Sequence, residues 1–225
     1  MKPITVLLVD DHDMVREGFR LLLEQEPDIK VIGEAATGRQ AIRLSRKLNP
    51  EVVVMDIAMP LLNGLDATRQ IHQALPGIKV LILSGHDDDA YVDQLTEFGA
   101  SGLVLKQSAS HMLVTAIREV HKGKTFFSPL VAKRMERRHQ AAIGLDGRHR
   151  KQRNRLSPRE VEVLQLIAEG QLNKQIAEEL GISFKTVDRH RQNLMMKLNI
   201  HDAAGLTRYA ISSGIIENKV QLTIV

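Results

Sequence analysis

The chain has 225 residues, 43% hydrophobic and 26% charged, which is ordinary globular usage and excludes disordered and fibrous classes. At roughly 100–200 residues per domain, that length holds one large domain or two small ones. Cysteine is absent, so disulfides and thiolate metal sites are excluded, and a reducing compartment suits the composition. No apolar run approaches the ~18 residues of a membrane span. Met1-Lys2-Pro3 lacks the apolar stretch of a signal peptide, so a cytoplasmic protein with no membrane partner is expected. The net charge of +4 is unevenly spread. Residues 1–127 hold 14 basic and 17 acidic residues, and residues 128–225 hold 17 and 10. An acidic half followed by a basic half predicts two domains, the second facing a polyanion. With no Trp, two Tyr and five Phe, a single-strand reader built on base stacking is a poor fit.

Short apolar runs and helical patterns alternate through the first half. The runs Ile4–Val9, Lys30–Gly33, Val52–Met55, Val80–Leu83 and Gly102–Leu105 have strand length, are rich in β-branched residues and show little polar alternation. Strands of that kind are covered on both faces, as in a parallel sheet. Between them, Val15, Phe19, Leu22 and Leu23, then Ala41, Leu44 and Leu48, then Ala67, Ile71 and Leu75, then Leu113, Ile117 and Val120, recur at helical spacing. The prediction over residues 1–124 is a doubly wound α/β domain with a five-stranded parallel sheet.

Ser128-Pro129 reads as a helix cap and first turn, predicting a helix over 129–140 within a connecting segment, 125–155. From Ala141 to Arg155 periodicity is lost among glycines and cations, the pattern of a solvated linker. A small all-α domain is predicted over 156–218. Ser157-Pro158-Arg159-Glu160 is a capping box, and its helix is expected to bury Val161, Leu164 and Ile167. A short helix with Ile176, Ala177 and Leu180 ends at Gly181, Ser183 caps a longer helix over Val187, Leu194 and Leu198, and a fourth carries Leu206, Tyr209 and Ala210. The tail 219–225 is expected to be frayed.

Polar residues of the first half follow the strands directly: Asp10 and Asp11, Asp56, Ser84 and Lys106. In an open parallel sheet, ligands bind at the carboxyl ends of strands where the order reverses. With the order 2-1-3-4-5, Asp10, Asp11 and Asp56 converge, flanked by Ser84 and Lys106. Three carboxylates in one cleft repel and call for a cation, and hard oxygen donors with open water positions favour Mg²⁺.

These residues carry a resemblance. Residues 1–122 resemble the receiver domain of two-component response regulators through Val-Asp-Asp-His (9–12), Met-Asp-Ile-Ala-Met-Pro (55–60), Leu-Ser-Gly (83–85) and Gly-Leu-Val-Leu-Lys (102–106). The resemblance implies that Asp56 accepts phosphate from a cognate histidine kinase, and that Asp11, Asp56 and the Ala58 carbonyl ligate Mg²⁺. Asp10 would act through water or as a further ligand. Lys106 and Ser84 would contact the phosphoryl group, and Ser84 would move on activation. Leu103 departs from the family pattern, which has Tyr or Phe three residues before the lysine. Tyr91 is a candidate substitute, with a core or interface role as the alternative. His86 occupies a position that tunes attack of water on the phosphoryl group, and Asp87–Asp89 reads as a solvated helix start. The resemblance implies a phosphoacceptor regulator rather than an enzyme.

In the basic half, Ala177, Gly181 and Val187 have the spacing of a helix-turn-helix. Residues 156–216 resemble the DNA-binding domain of NarL/FixJ (LuxR-type) regulators through Leu-Ser-Pro-Arg-Glu-Val-Glu-Val-Leu, Asn-Lys-Gln-Ile-Ala-Glu-Glu-Leu-Gly-Ile-Ser and Lys-Thr-Val-Asp-Arg-His-Arg. That implies double-stranded DNA as partner, with the helix from Phe184 in the major groove. Lys185, Asp188, Arg189 and Gln192 are then the candidates for base edges, and Lys174, Thr186, His190 and Arg191 for phosphates. A homodimer on two half-sites is expected, and the resemblance implies that it pairs through Leu206, Tyr209 and Ala210 of the last helix, whose apolar residues also serve the core.

Two other readings are open. Leu103 would suit a regulator of the same fold that works without phosphorylation. Asp11-His12-Asp13-Met14-Val15 also fits the nucleophile motif of haloacid-dehalogenase-type phosphatases, which need an acidic pair after the lysine. Only Glu119 and Glu136 stand between Lys106 and Gly144.

Overall fold

The computed structural model describes residues 2–85, 95, 98–127, 131–132 and 156–216. The chain divides into two compact units, Met1–Asp146 and Gly147–Val225.

In the first unit the elements run β1 (Ile4–Val9), α1 (Asp13–Glu24), β2 (Ile29–Ala35), α2 (Gly38–Leu48), β3 (Val52–Asp56), α3 (Gly64–Ala74), β4 (Lys79–Ser84), β5 (Gly102–Leu105), α4 (Ala109–His121) and β6 (Phe126–Phe127). The strands are parallel in the order β2-β1-β3-β4-β5-β6. Alternate residues of the central strands feed two cores. Leu7, Val9, Val53, Met55, Val80 and Ile82 enter one; Val6, Leu8, Val52, Val54, Leu81 and Leu83 enter the other. Burial on both faces is why these runs show no polar alternation. Thr37 caps α2 by accepting from the Gln40 amide, and Asn63 caps α3 by accepting from the Asp66 amide.

The predicted order of five strands is observed, and the sheet adds a sixth. Phe126 and Phe127 pair with Gly102 and Leu103 in β5. A Cβ at Gly102 would lie 2.2 Å from the Phe126 carbonyl oxygen, so the added strand depends on glycine at that position. Phe126 packs on one core and Phe127 on the other. His86, Tyr91, Asp87–Asp89, most of the helix expected at 129–140, the linker from Ala141 and the tail 219–225 lie outside the described residues. Val131 and Ala132 are helical, and Val131 is buried in the first core.

The second unit holds α5 (Pro158–Ala168), α6 (Asn173–Leu180), α7 (Phe184–Leu198) and α8 (Ala203–Ser212). The Ser157 capping box forms with both of its hydrogen bonds. Helix α5 touches α6, α7 and α8. It is buried on more sides than one stripe allows, taking in Val163 and Leu166 with Leu164 and Ile167 and leaving Val161 half-exposed. Gly181 terminates α6 at φ +62, and Ser183 caps α7 through the Thr186 amide.

Candidate functional site

Register places the first cluster. Val9 pairs with Met55, Asp56 with Leu83, and Ser84 with Leu105, so Asp10, Asp56, Ser84 and Lys106 stand at neighbouring strand ends. Asp10 and Asp56 are each 2% exposed, and Ser84 is buried beside them. The Lys106 ammonium bridges Asp10 Oδ2 at 2.8 Å and Asp56 Oδ1 at 2.9 Å. Burial works to lower the Lys106 pKa, but the adjacent Asp56 and Asp10 carboxylates outweigh it and hold the ammonium above its ordinary value. Ligand atoms of Asp10, Asp11, His12 and Asp56 all lie within 4.8 Å of one another. Three carboxylates against one ammonium leave the cleft negative, and an oxygen-rich set beside open solvent fits a hard divalent cation.

The loop after Asp56 is tightly wound. The Ile57 carbonyl accepts from Met59 and Gly64, and Leu61 sits at φ +69. Ala58 lies in this loop, half-buried. A Cβ on Gly64 would fall 1.8 Å from the Asp56 carbonyl oxygen, so only glycine lets α3 start this close to β3. Leu103 is buried in the first core, which Phe127, its register partner on β6, also packs against.

Three participants were not expected from the sequence. His12 Nδ1 is 2.9 Å from Asp11 Oδ1 and 3.2 Å from Asp10 Oδ1, and its amide donates to Asp10 Oδ1. Arg16 donates to the Asp10 carbonyl at 2.7 Å. Gly64 sets the approach of the loop. Their only sequence signal was proximity: His12 follows the aspartate pair, and Arg16 is one helical turn further on. Asp13 is 90% exposed and pairs with Arg16, so it stands apart from the cluster that a phosphatase motif would need it to join.

On the second unit, Lys185, Arg189 and Gln192 are exposed along one side of α7, opposite the buried Val187 and Leu194. Asp188 Oδ2 accepts from the Gln192 side-chain Nε2 at 2.9 Å, a local pair that meets part of its need for donors. Arg191 donates to Asn173, tying α7 to the start of α6, where Lys174 is exposed. Thr186 bonds Ser183, and His190 is half-buried. The pairing surface expected on α8 requires correction. Leu206 and Ala210 are 0% exposed and belong to the core against α5, so they have no surface for a second chain. Tyr209 keeps partial exposure, and burial raises its pKa above the ordinary tyrosine value.

Comparison with known proteins agrees with this division. Residues 6–118 match the response regulator receiver domain family, and residues 154–210 match the luxR family of bacterial regulatory proteins. The chain is 40% identical over 207 residues to the transcriptional regulatory protein LiaR of Bacillus subtilis (strain 168), covering 92% of this chain and 96% of that one. It is similar to RcsB of Salmonella enterica serovar Typhimurium bound to promoter rprA with the phosphomimetic BeF3⁻ (TM-score 0.61, 28% identity, 92% and 98% covered). It is also similar to a structure of two RcsB dimers bound to two parallel DNAs (TM-score 0.57, 31% identity, 94% and 99% covered). Among the described residues no helix is long and apolar enough to cross a membrane. An acidic cleft at the strand ends, a cationic helix-turn-helix and matches spanning both make this chain a DNA-binding two-component response regulator of the NarL/FixJ family.

Proposed function

We propose that the chain regulates transcription by accepting a phosphoryl group on Asp56 from a histidine kinase. The observation that carries this reading is the Lys106 ammonium held between the buried carboxylates of Asp10 and Asp56. In the transfer, an Asp56 carboxylate oxygen attacks phosphorus, the bond from phosphorus to the kinase imidazole nitrogen breaks, and that imidazole leaves with the bonding pair. Lys106 and Ser84 then donate to the non-bridging oxygens. Asp10, Asp11, Asp56 and the Ala58 carbonyl would hold Mg²⁺, which supplies charge neutralisation of the incoming phosphoryl oxygens. Lys185, Asp188, Arg189 and Gln192 would face base edges. Lys174, Thr186, His190 and Arg191 would face phosphates.

Phosphorylation would shift the chain toward a dimer on double-stranded DNA, a state in which solved RcsB is known. In α8, Ala203, Ala204, Arg208 and Ser212 are exposed and Thr207 and Ile211 half-exposed, so these are the residues left for pairing beside Tyr209. Leu103 gives the competing reading a footing: with an aliphatic side chain fixed in the core, a regulator of this fold would work without the phosphoryl switch. Intact mass after incubation with acetyl phosphate decides between them. One added phosphoryl group in Mg²⁺, lost with chelator and in Asp56→Asn, supports phosphorylation; an unchanged wild-type mass supports the competing reading.

A further inference from the structure

The polar reading face of α7 has an apolar flank. Phe184, the first residue of the helix, is 57% exposed, and Leu172, just before α6, is 70% exposed. Neither is buried, whereas Val187 and Leu194 of α7 are fully buried in the core. Together with Met195 they line a groove of about 600 Å³, whose lining also includes Lys174, Arg191 and Asp188. A large ring at an exposed first-turn position is costly in water, because its apolar area stays hydrated. Two large apolar side chains exposed in one groove form a contiguous patch, the kind of surface that marks an interaction site.

We propose that Phe184, supported by Leu172, reads thymine methyl groups in the major groove. The inference rests on the DNA reading of α7. The first turn of a recognition helix is the part that meets base edges, and Phe184 directly precedes the exposed Lys185. The thymine C5-methyl is the apolar group on a major-groove edge, and apolar side chains are its partners there. That methyl stands on the side of the groove next to its own backbone. The Lys174 and Arg191 cations in the same lining suit the adjacent phosphates, while Asp188, also in the lining, is held by the Gln192 side-chain amide. Arg189 and Gln192 supply hydrogen bonds toward guanine and adenine, and Phe184 adds recognition of the thymine they cannot provide.

The test uses the full-length chain and sites selected from random duplex DNA. Each thymine is replaced in turn by deoxyuridine, which removes the methyl and leaves every hydrogen-bonding group. Wild type should lose about four-fold affinity at one or two positions of each half-site, the value of one buried methyl-sized group. Phe184→Ala should bind thymine and uracil alike at those positions while keeping its guanine preference. Leu172→Ala should reduce the thymine preference in part. Equal binding of thymine and uracil by wild type at every position would overturn the inference while leaving the DNA reading intact. Undiminished discrimination in Phe184→Ala would overturn it too, and point to a protein partner for the groove. Failure of wild type to bind any duplex would remove the DNA reading itself, and this inference with it.

Discussion

Gly64→Ala tests whether the loop after Asp56 is set by close backbone approach. The added Cβ would start 1.8 Å from the Asp56 carbonyl oxygen and 2.8 Å from its carbon, where contacts below 3.0 Å do not occur. The gap must therefore open by at least 1.2 Å, and the atoms that move belong to the backbone of Asp56 and of the segment carrying Ala58. Displacement by about 1 Å from a productive geometry costs on the order of 100-fold in rate. Overpacking itself costs about 1–3 kcal/mol of stability. Gly64→Ala should consequently phosphorylate roughly 100-fold more slowly with acetyl phosphate and Mg²⁺, while still melting cooperatively. Gly77→Ala is the control, because its Cβ meets nothing within 4 Å. A Gly64→Ala rate within two-fold of wild type would refute the reasoning.

Asp11→Asn removes one of three crowded carboxylates, so it should raise the melting temperature in chelator and abolish the rise that Mg²⁺ gives wild type. Glu160 is buried between the Ser157 amide and the Lys197 ammonium. Burial works to raise its pKa, but Lys197 and Ser157 outweigh it and hold it below the ordinary glutamate value. Its stabilisation is thus fully present above the unfolded value of about 4.5 and is lost as pH falls through the lower folded value. Glu160→Gln should cost about 1–2 kcal/mol at pH 7 in urea unfolding and flatten the loss of stability below pH 4.5. Lys174→Ala should weaken binding to every duplex alike and lower the salt slope by about one. Arg189→Ala should relax specificity at one base by about 1–3 kcal/mol.

The fold was legible where periodicity was unambiguous. Ile4–Val9 and Gly102–Leu105 have the same ends in sequence and structure, because short apolar runs buried on both faces admit few alternatives. The sixth strand was not legible. Two phenylalanines make too short a run for period 2, and their pairing depends on Gly102, some two dozen residues away in sequence. The acidic cluster followed from strand ends alone, since the carboxyl edge of a parallel sheet collects whatever follows each strand. His12, Arg16 and Gly64 escaped because their roles come from backbone approach and side-chain reach across the loop. For Leu206 and Ala210 in α8 the reason is related. Leu206 and Ala210 share one stripe of an amphipathic helix, and the sequence does not say whether that stripe meets its own core or another chain. Contacts with α5 give it to the core.

The central claim is a phosphoryl switch at Asp56 coupled to association. Sedimentation velocity of wild type and Asp56→Asn, each with and without Mg²⁺ and beryllofluoride, tests it most directly. The account predicts a monomer-to-dimer shift in wild type with both additives and no shift in Asp56→Asn. A wild-type chain whose association ignores the phosphoryl mimic would contradict it and favour the phosphorylation-independent regulator.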